Sequence, residues 1–97
     1  MDESTVRERA EAHAQAMVDG DLRQAASDLT PEAQAGAAAV MKNMPNPVQG
    51  AQVQGVAPDH DAVVASILYS GATAELLVES RWEERDGRPM IVNLSAG

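Results

Sequence analysis

His13 is the residue of this chain best placed to do chemistry. It lies on the apolar stripe of an N-terminal helical segment, seven residues before Gly20. An imidazole there can donate a hydrogen bond or act as a general base near neutral pH. The same position also suits a histidine at a helix–sheet boundary, its ring satisfied by a neighbouring carbonyl. Tyr69 and Trp82 follow. Each offers an apolar body with one polar tip, so they can line a ligand pocket or fill a core otherwise made of small side chains. Ser80 sits among apolar neighbours and marks either the pocket or a local backbone bond. Met17, Met41, Met44 and Met90 would give an adaptable apolar lining, or simply core.

Other groupings carry less. Asp59-His60-Asp61 places three metal-ligand types in a row, but consecutive residues splay apart and no further ligands recur at supporting spacing. It reads as a solvated hairpin turn, and no metal or cofactor is expected. Glu75, Glu79 and Glu83 with Arg81 and Arg85 read as surface charge pairs of little individual weight. A carboxylate pair for acid–base work needs a dry pocket that separates its two pKa values, and these positions face away from one. There is no cysteine, which excludes disulfides, thiolate nucleophiles and Cys metal sites. No nucleophile motif, phosphate loop or dinucleotide fingerprint is present.

Composition narrows the partners. The formal net charge is −8, and no Lys/Arg cluster exists to meet phosphates or an anionic membrane surface. Neither nucleic-acid nor membrane binding is expected. Met1-Asp2-Glu3-Ser4 is acidic with no apolar run behind it, so no signal peptide or spanning helix is expected, and a cytoplasmic location is the default. The excess of Arg over Lys and the abundance of Ala fit a GC-rich bacterial genome. The 97 residues suit one domain, 1–97. With no Phe, one Trp and one Tyr, the core is thin, and dimerisation that buries more apolar surface would help.

The elements that position these residues come in two blocks, Ala-rich helices over about 4–44 and strands over about 48–95. Helices first and strands after predict α+β, three helices packed on one face of a curved four-stranded antiparallel sheet. The first helix runs from about Ser4 to Asp19, capped by Ser4 or Thr5 with Glu8 completing a capping box. Val6, Ala10, His13, Ala14 and Met17 form its buried stripe, and Gly20 ends it. Asp21 caps a short second helix with Leu22, Ala25, Ala26 and Leu29 on one face. Thr30-Pro31-Glu32 starts a third, with Ala33, Ala37, Val40, Met41 and Met44 inward, and Pro45-Asn46-Pro47 stops it.

The strands are predicted at about Val48–Val56, Ala62–Ser70, Thr73–Glu84 and Pro89–Leu94, with Pro58-Asp59-His60-Asp61 as the first turn. Gly50 and Gly55 make the first strand weak and suggest a bulge or an edge. A two-residue Gly71-Ala72 turn would pair Ser70 with Thr73. For the last hairpin, a two-residue Asp86-Gly87 turn places Trp82 opposite Ile91 but Val78 opposite Ser95. A three-residue Arg85-Asp86-Gly87 loop pairs Trp82 with Met90, Ser80 with Val92 and Val78 with Leu94, keeps the apolar sets together, and is preferred. One face then carries Val63, Ala65, Ile67, Tyr69, Leu76, Val78, Ser80, Trp82, Met90, Val92 and Leu94. The other mixes Val64, Leu68, Leu77 and Ile91 with Glu75, Glu79 and Arg81, and so many large aliphatics there mark a homodimer interface.

This element order resembles the nuclear transport factor two-like superfamily, with its cystatin-like α+β cone and its ketosteroid isomerase and SnoaL-type members. The resemblance is carried by His13-Ala-Gln-Ala-Met-Val-Asp-Gly20-Asp21-Leu22, by Ala25-Ala26-Ser-Asp-Leu29-Thr-Pro-Glu32-Ala33, and by Ser80-Arg-Trp82-Glu-Glu-Arg-Asp-Gly87-Arg-Pro-Met-Ile-Val92. It implies a cavity between the first helix and the concave sheet face, homodimers through the convex face, and a polar group in the pocket at the position of His13. The chain is short for that group, and residues 33–41 are Ala-rich helix where many members place strands and a catalytic carboxylate. The reading taken is therefore a non-catalytic dimeric domain with a small apolar ligand between helix and sheet. Its pocket candidates are His13, Met17, Tyr69, Ser80, Trp82 and Met90. The alternatives are an isomerase-like enzyme using His13 on a hydrophobic substrate, or an interaction module acting through the convex face. The enzyme needs a buried carboxylate near His13, and only Asp28 and Glu32 are close in sequence, both at helix ends.

Overall fold

A computed structural model describes residues 1–96. Helices α1 (Glu3–Asp19), α2 (Leu22–Ala26) and α3 (Pro31–Lys42) precede strands β1 (Gly50–Asp59), β2 (Ala62–Ser70), β3 (Glu75–Arg85) and β4 (Arg88–Ala96). The strands form one antiparallel meander in the order β1-β2-β3-β4, and the α+β expectation holds.

Local chemistry sets the helix ends. Asp2, not Ser4 or Thr5, caps α1: its carboxylate accepts from the Thr5 backbone N–H at 2.8 Å. The acidic residue upstream satisfies one of the free N–H groups of the first turn, so the cap lies one turn earlier than the capping-box pattern implies. Gly20 ends α1 at φ 76°, a left-handed conformation that glycine adopts without Cβ strain. Asp21 caps α2, and Thr30 caps α3 with Pro31 in its first turn.

The sheet corrects two expected registers and one expected turn. Ser70 pairs with Glu75, not Thr73, so the β2–β3 loop is four residues, Gly71–Ala74, closed by the Gly71 N–H donating to the Ala74 carbonyl. The slip is two residues, and with a side-chain period of two every inward residue stays inward. β1 extends through Pro58 and Asp59, so its turn tightens to His60-Asp61, and the pairing skips Gln54 beside Gly55. That bulge, in an edge strand, is what the two glycines implied. The last hairpin uses the two-residue Asp86-Gly87 turn, both residues having positive φ, as a type I′ turn requires. Trp82 therefore faces Ile91, and Met90 faces Glu83. Beyond that pair Val92 is skipped: Arg81 pairs with Asn93 and Ser80 with Leu94. The bulge puts Trp82, Ile91, Ser80 and Leu94 on one face despite the shorter turn.

The helices cover that face. Trp82, Tyr69, Ile67, Ile91 and Ser80 of that face, with Val6 of α1, are the largest sealed side chains among the described residues. α1 lies over β1 and β2, and α3 over β4. A Cβ on Gly36 would stand 2.9 Å from the Leu94 carbonyl oxygen, so glycine there lets α3 approach β4 closely. The helical half is also tied to the last strand through its backbone. The Ile91 N–H donates to the Asp28 carbonyl at 2.7 Å, and the Thr30 N–H donates to the Ile91 carbonyl at 2.9 Å. Leu29 thereby forms a parallel bridge to Ile91.

Candidate functional site

His13 sits on the third turn of α1 and is 6 % exposed. Its Nδ1 lies 3.0 Å from Oδ2 of Asp28, itself a buried residue in the connection between α2 and α3. The other carboxylate oxygen, Oδ1, accepts from Arg9 Nη2 at 3.2 Å. Arg9 precedes His13 by four residues, which places both on one face of the helix. A carboxylate only accepts hydrogen bonds, so Nδ1 carries the hydrogen in this pair, and in the neutral ring Nε2 is left with a lone pair. Nε2 has no hydrogen-bond partner among the described residues.

The imidazole is braced from below. Its ring meets Trp82 edge-on, with centroids 6.3 Å apart and planes at 89°. Trp82 Nε1 donates to Ser80 Oγ at 2.9 Å, and Ser80 Oγ donates to the Ala65 carbonyl at 3.0 Å. Ser80 is therefore the polar foot of Trp82, itself held by its bond to the Ala65 carbonyl.

Beside His13 opens an apolar cavity of about 230 Å³. α2 and α3 supply Leu22, Ala25, Val40 and Met41, and the sheet supplies Tyr69, Val78 and Leu94. Met17, Ala37 and Met44 also line it. Tyr69 is 2 % exposed, and burial pushes its phenol well above the ordinary tyrosine range. The unfolded chain would lose this proton at about pH 10 while the folded chain keeps it. Stability is thus intact below that pH and falls as the pH rises through it. Because Tyr69 is the only tyrosine, the near-ultraviolet phenolate band should appear together with loss of far-ultraviolet circular dichroism. A phenolate titrating near its ordinary pH in a fully folded protein would contradict the burial.

The expected pocket residues thus separate. His13, Met17 and Tyr69 line the cavity, Trp82 and Ser80 support it from beneath, and Met90 is displaced. The two-residue turn sets Met90 against Glu83, where its sulfur lies 3.0 Å from Arg88 Nε. Of the convex-face residues, Val64, Leu68 and Leu77 are half-buried, and Leu68 pairs with Leu77. Ile91 leaves that set: it is wholly buried opposite Trp82. Val92, expected inward, is the half-buried bulge residue. Asp59 and His60 are exposed at their turn, and no cluster of three metal-ligating side chains occurs among the described residues. Sequence reasoning set Asp28 aside as a helix-end residue and did not consider Arg9. The available signal was the four-residue spacing of Arg9 and His13, two groups that one carboxylate can satisfy.

No family model and no curated protein matches the chain. Among solved structures it is similar to the crystal structure of an NTF-2 like protein of unknown function from Burkholderia xenovorans LB400. The TM-score is 0.64 at 20 % identity, over 98 % of this chain and 83 % of that one. The chain has the α+β nuclear transport factor two-like fold that its element order resembled. No helix among the described residues is long and apolar enough to cross a membrane.

Proposed function

We propose that the cone binds a small, largely apolar molecule with His13 as its polar anchor. The observation that carries this reading is the unpartnered ring nitrogen of His13 on the wall of an apolar cavity of about 230 Å³. An apolar cavity of about 150 Å³ accommodates benzene, so a one- or two-ring compound is the right scale. Trp82, Tyr69 and the methionines leave this space open, where a plain core would fill it.

Asp28 favours a second reading, general-base catalysis. A carboxylate accepting from Nδ1–H fixes the tautomer and orientation of an imidazole, leaving Nε2 free to take a proton. The reaction class is proton abstraction from a hydrophobic substrate. Self-association through Val64, Leu68 and Leu77 is proposed alongside; it is independent of the cavity.

Titration with naphthalene, followed by amide NMR shifts, tests the pocket. Saturable shifts are expected at Met17, Tyr69 and Val78, and Ala37→Leu, which adds methyl groups to the lining, should abolish them. Absent shifts, or shifts spread over the convex face, would remove the pocket reading. Sedimentation of wild type and Leu77→Arg tests self-association. A dimer that Leu77→Arg converts to monomer supports it, and equal masses exclude that face.

A further inference from the structure

We infer that the ligand of the cone is a neutral molecule presenting one hydrogen-bond donor, a hydroxyl or aromatic N–H, from an apolar one- or two-ring body, and that the cone rejects carboxylates. This rests on the pocket reading above and specifies its ligand.

The argument begins at Asp28. Both of its oxygens are engaged, one by Arg9 Nη2 and one by His13 Nδ1. In the neutral tautomer that this pairing selects, the imidazole offers the cavity the lone pair of Nε2, which is an acceptor. A ligand that itself only accepts, such as an ether or ketone, would leave two acceptors facing each other in an apolar space. That arrangement desolvates Nε2 without replacing its hydrogen bond. A donor completes the set.

Charge gives the second half. Among the described residues Arg9 is the one cation in contact with this group; its Nη2 is paired with Asp28, its Nε is buried without a partner, and it is not part of the cavity wall. A carboxylate ligand would enter an apolar space beside an existing carboxylate with no free cation to meet it, which is unfavourable. A cationic amine would have to be desolvated while the nearest carboxylate is already occupied by two donors. Tyr69 is the other polar side chain on the wall. Its hydroxyl, with no hydrogen-bond partner among the described residues, can serve a ligand hydroxyl as donor or acceptor but brings no charge.

Four probes on one skeleton separate these terms: naphthalene, 1-methoxynaphthalene, 1-naphthol and 1-naphthoate, titrated calorimetrically into the unmodified protein near neutral pH. The expected order has 1-naphthol about tenfold tighter than naphthalene and than the methyl ether, with 1-naphthoate weakest. The ¹⁵N resonance of His13 Nε2 should move on adding 1-naphthol and stay in place with naphthalene; the other histidine, His60, is exposed and serves as the internal control. In His13→Phe the preference for 1-naphthol should vanish while naphthalene still binds. If the methyl ether or naphthalene matches 1-naphthol, or if 1-naphthoate binds best, the donor requirement is wrong although the pocket stands. If none of the four binds, the pocket reading fails and takes this inference with it.

Discussion

Trp82→Ala should cost about 3–5 kcal/mol of stability, the range for removing a large buried aromatic side chain. A domain of 97 residues is held by only about 5–15 kcal/mol in total, so the variant should be marginally folded at best. Trp82 is fully buried, and this core, with no phenylalanine, has few large side chains to collapse into the void. The deletion also strips Ser80 Oγ of its donor and takes away the ring against which His13 stands. Urea denaturation followed by far-ultraviolet circular dichroism measures the loss. Trp82→Phe should recover most of it, because the phenyl ring refills most of the space and Ser80 can still donate to Ala65. A loss below about 1 kcal/mol for Trp82→Ala would mean that the neighbouring helices close over the site and that the packing is looser than described.

The second large effect is at Asp28. Removing one partner of a buried, hydrogen-bonded charge pair costs about 3–5 kcal/mol when the other is stranded. Arg9 is more than a third exposed and can turn to solvent, so a lower figure of about 2 kcal/mol is expected for Asp28→Ala. The backbone tie from Ile91 to the Asp28 carbonyl does not involve the side chain, so the change reports the carboxylate alone. Function should suffer more than stability. Without Asp28 the His13 tautomer is no longer fixed, and the preference for a donor ligand should fall to near unity even in protein that remains folded. The paired measurement is denaturation together with the 1-naphthol to naphthalene affinity ratio. A preserved ratio in a folded Asp28→Ala protein would show that Asp28 does not set what His13 presents.

The legible parts of this chain were those governed by periodicity. Alternation placed Val63, Ala65, Ile67, Tyr69, Val78, Ser80 and Trp82 on one face, and all seven are buried. They survived a mistaken turn because the slip was even. Ile91 and Met90 were misplaced for the opposite reason. A bulge changes parity in mid-strand, and nothing in Met90-Ile91-Val92 marks which residue is skipped. The preferred loop kept the apolar sets together by lengthening the turn, whereas the chain does so by inserting the extra residue further along. Asp28 was illegible in a different way. Its neighbours Ser27 and Leu29 give no local reason for an acid to turn inward, and its partners, on α1, lie at least fifteen residues away. Long-range pairing of this kind leaves no periodic trace.

The tie between the Asp28–Thr30 segment and Ile91 bears on when the site comes into being. His13 and Asp28 are both made early in synthesis, yet the backbone that fixes Asp28 is held by a strand residue 61 positions beyond Thr30. Closing so long a loop is the slow part of assembling such a topology. The three helices and their connections carry the residues of the site, and the last strand holds the connection that bears one of them. The pairing of His13 with Asp28 therefore rests on a contact made by the last strand, and a change that frays β4 should loosen the site along with the edge of the sheet.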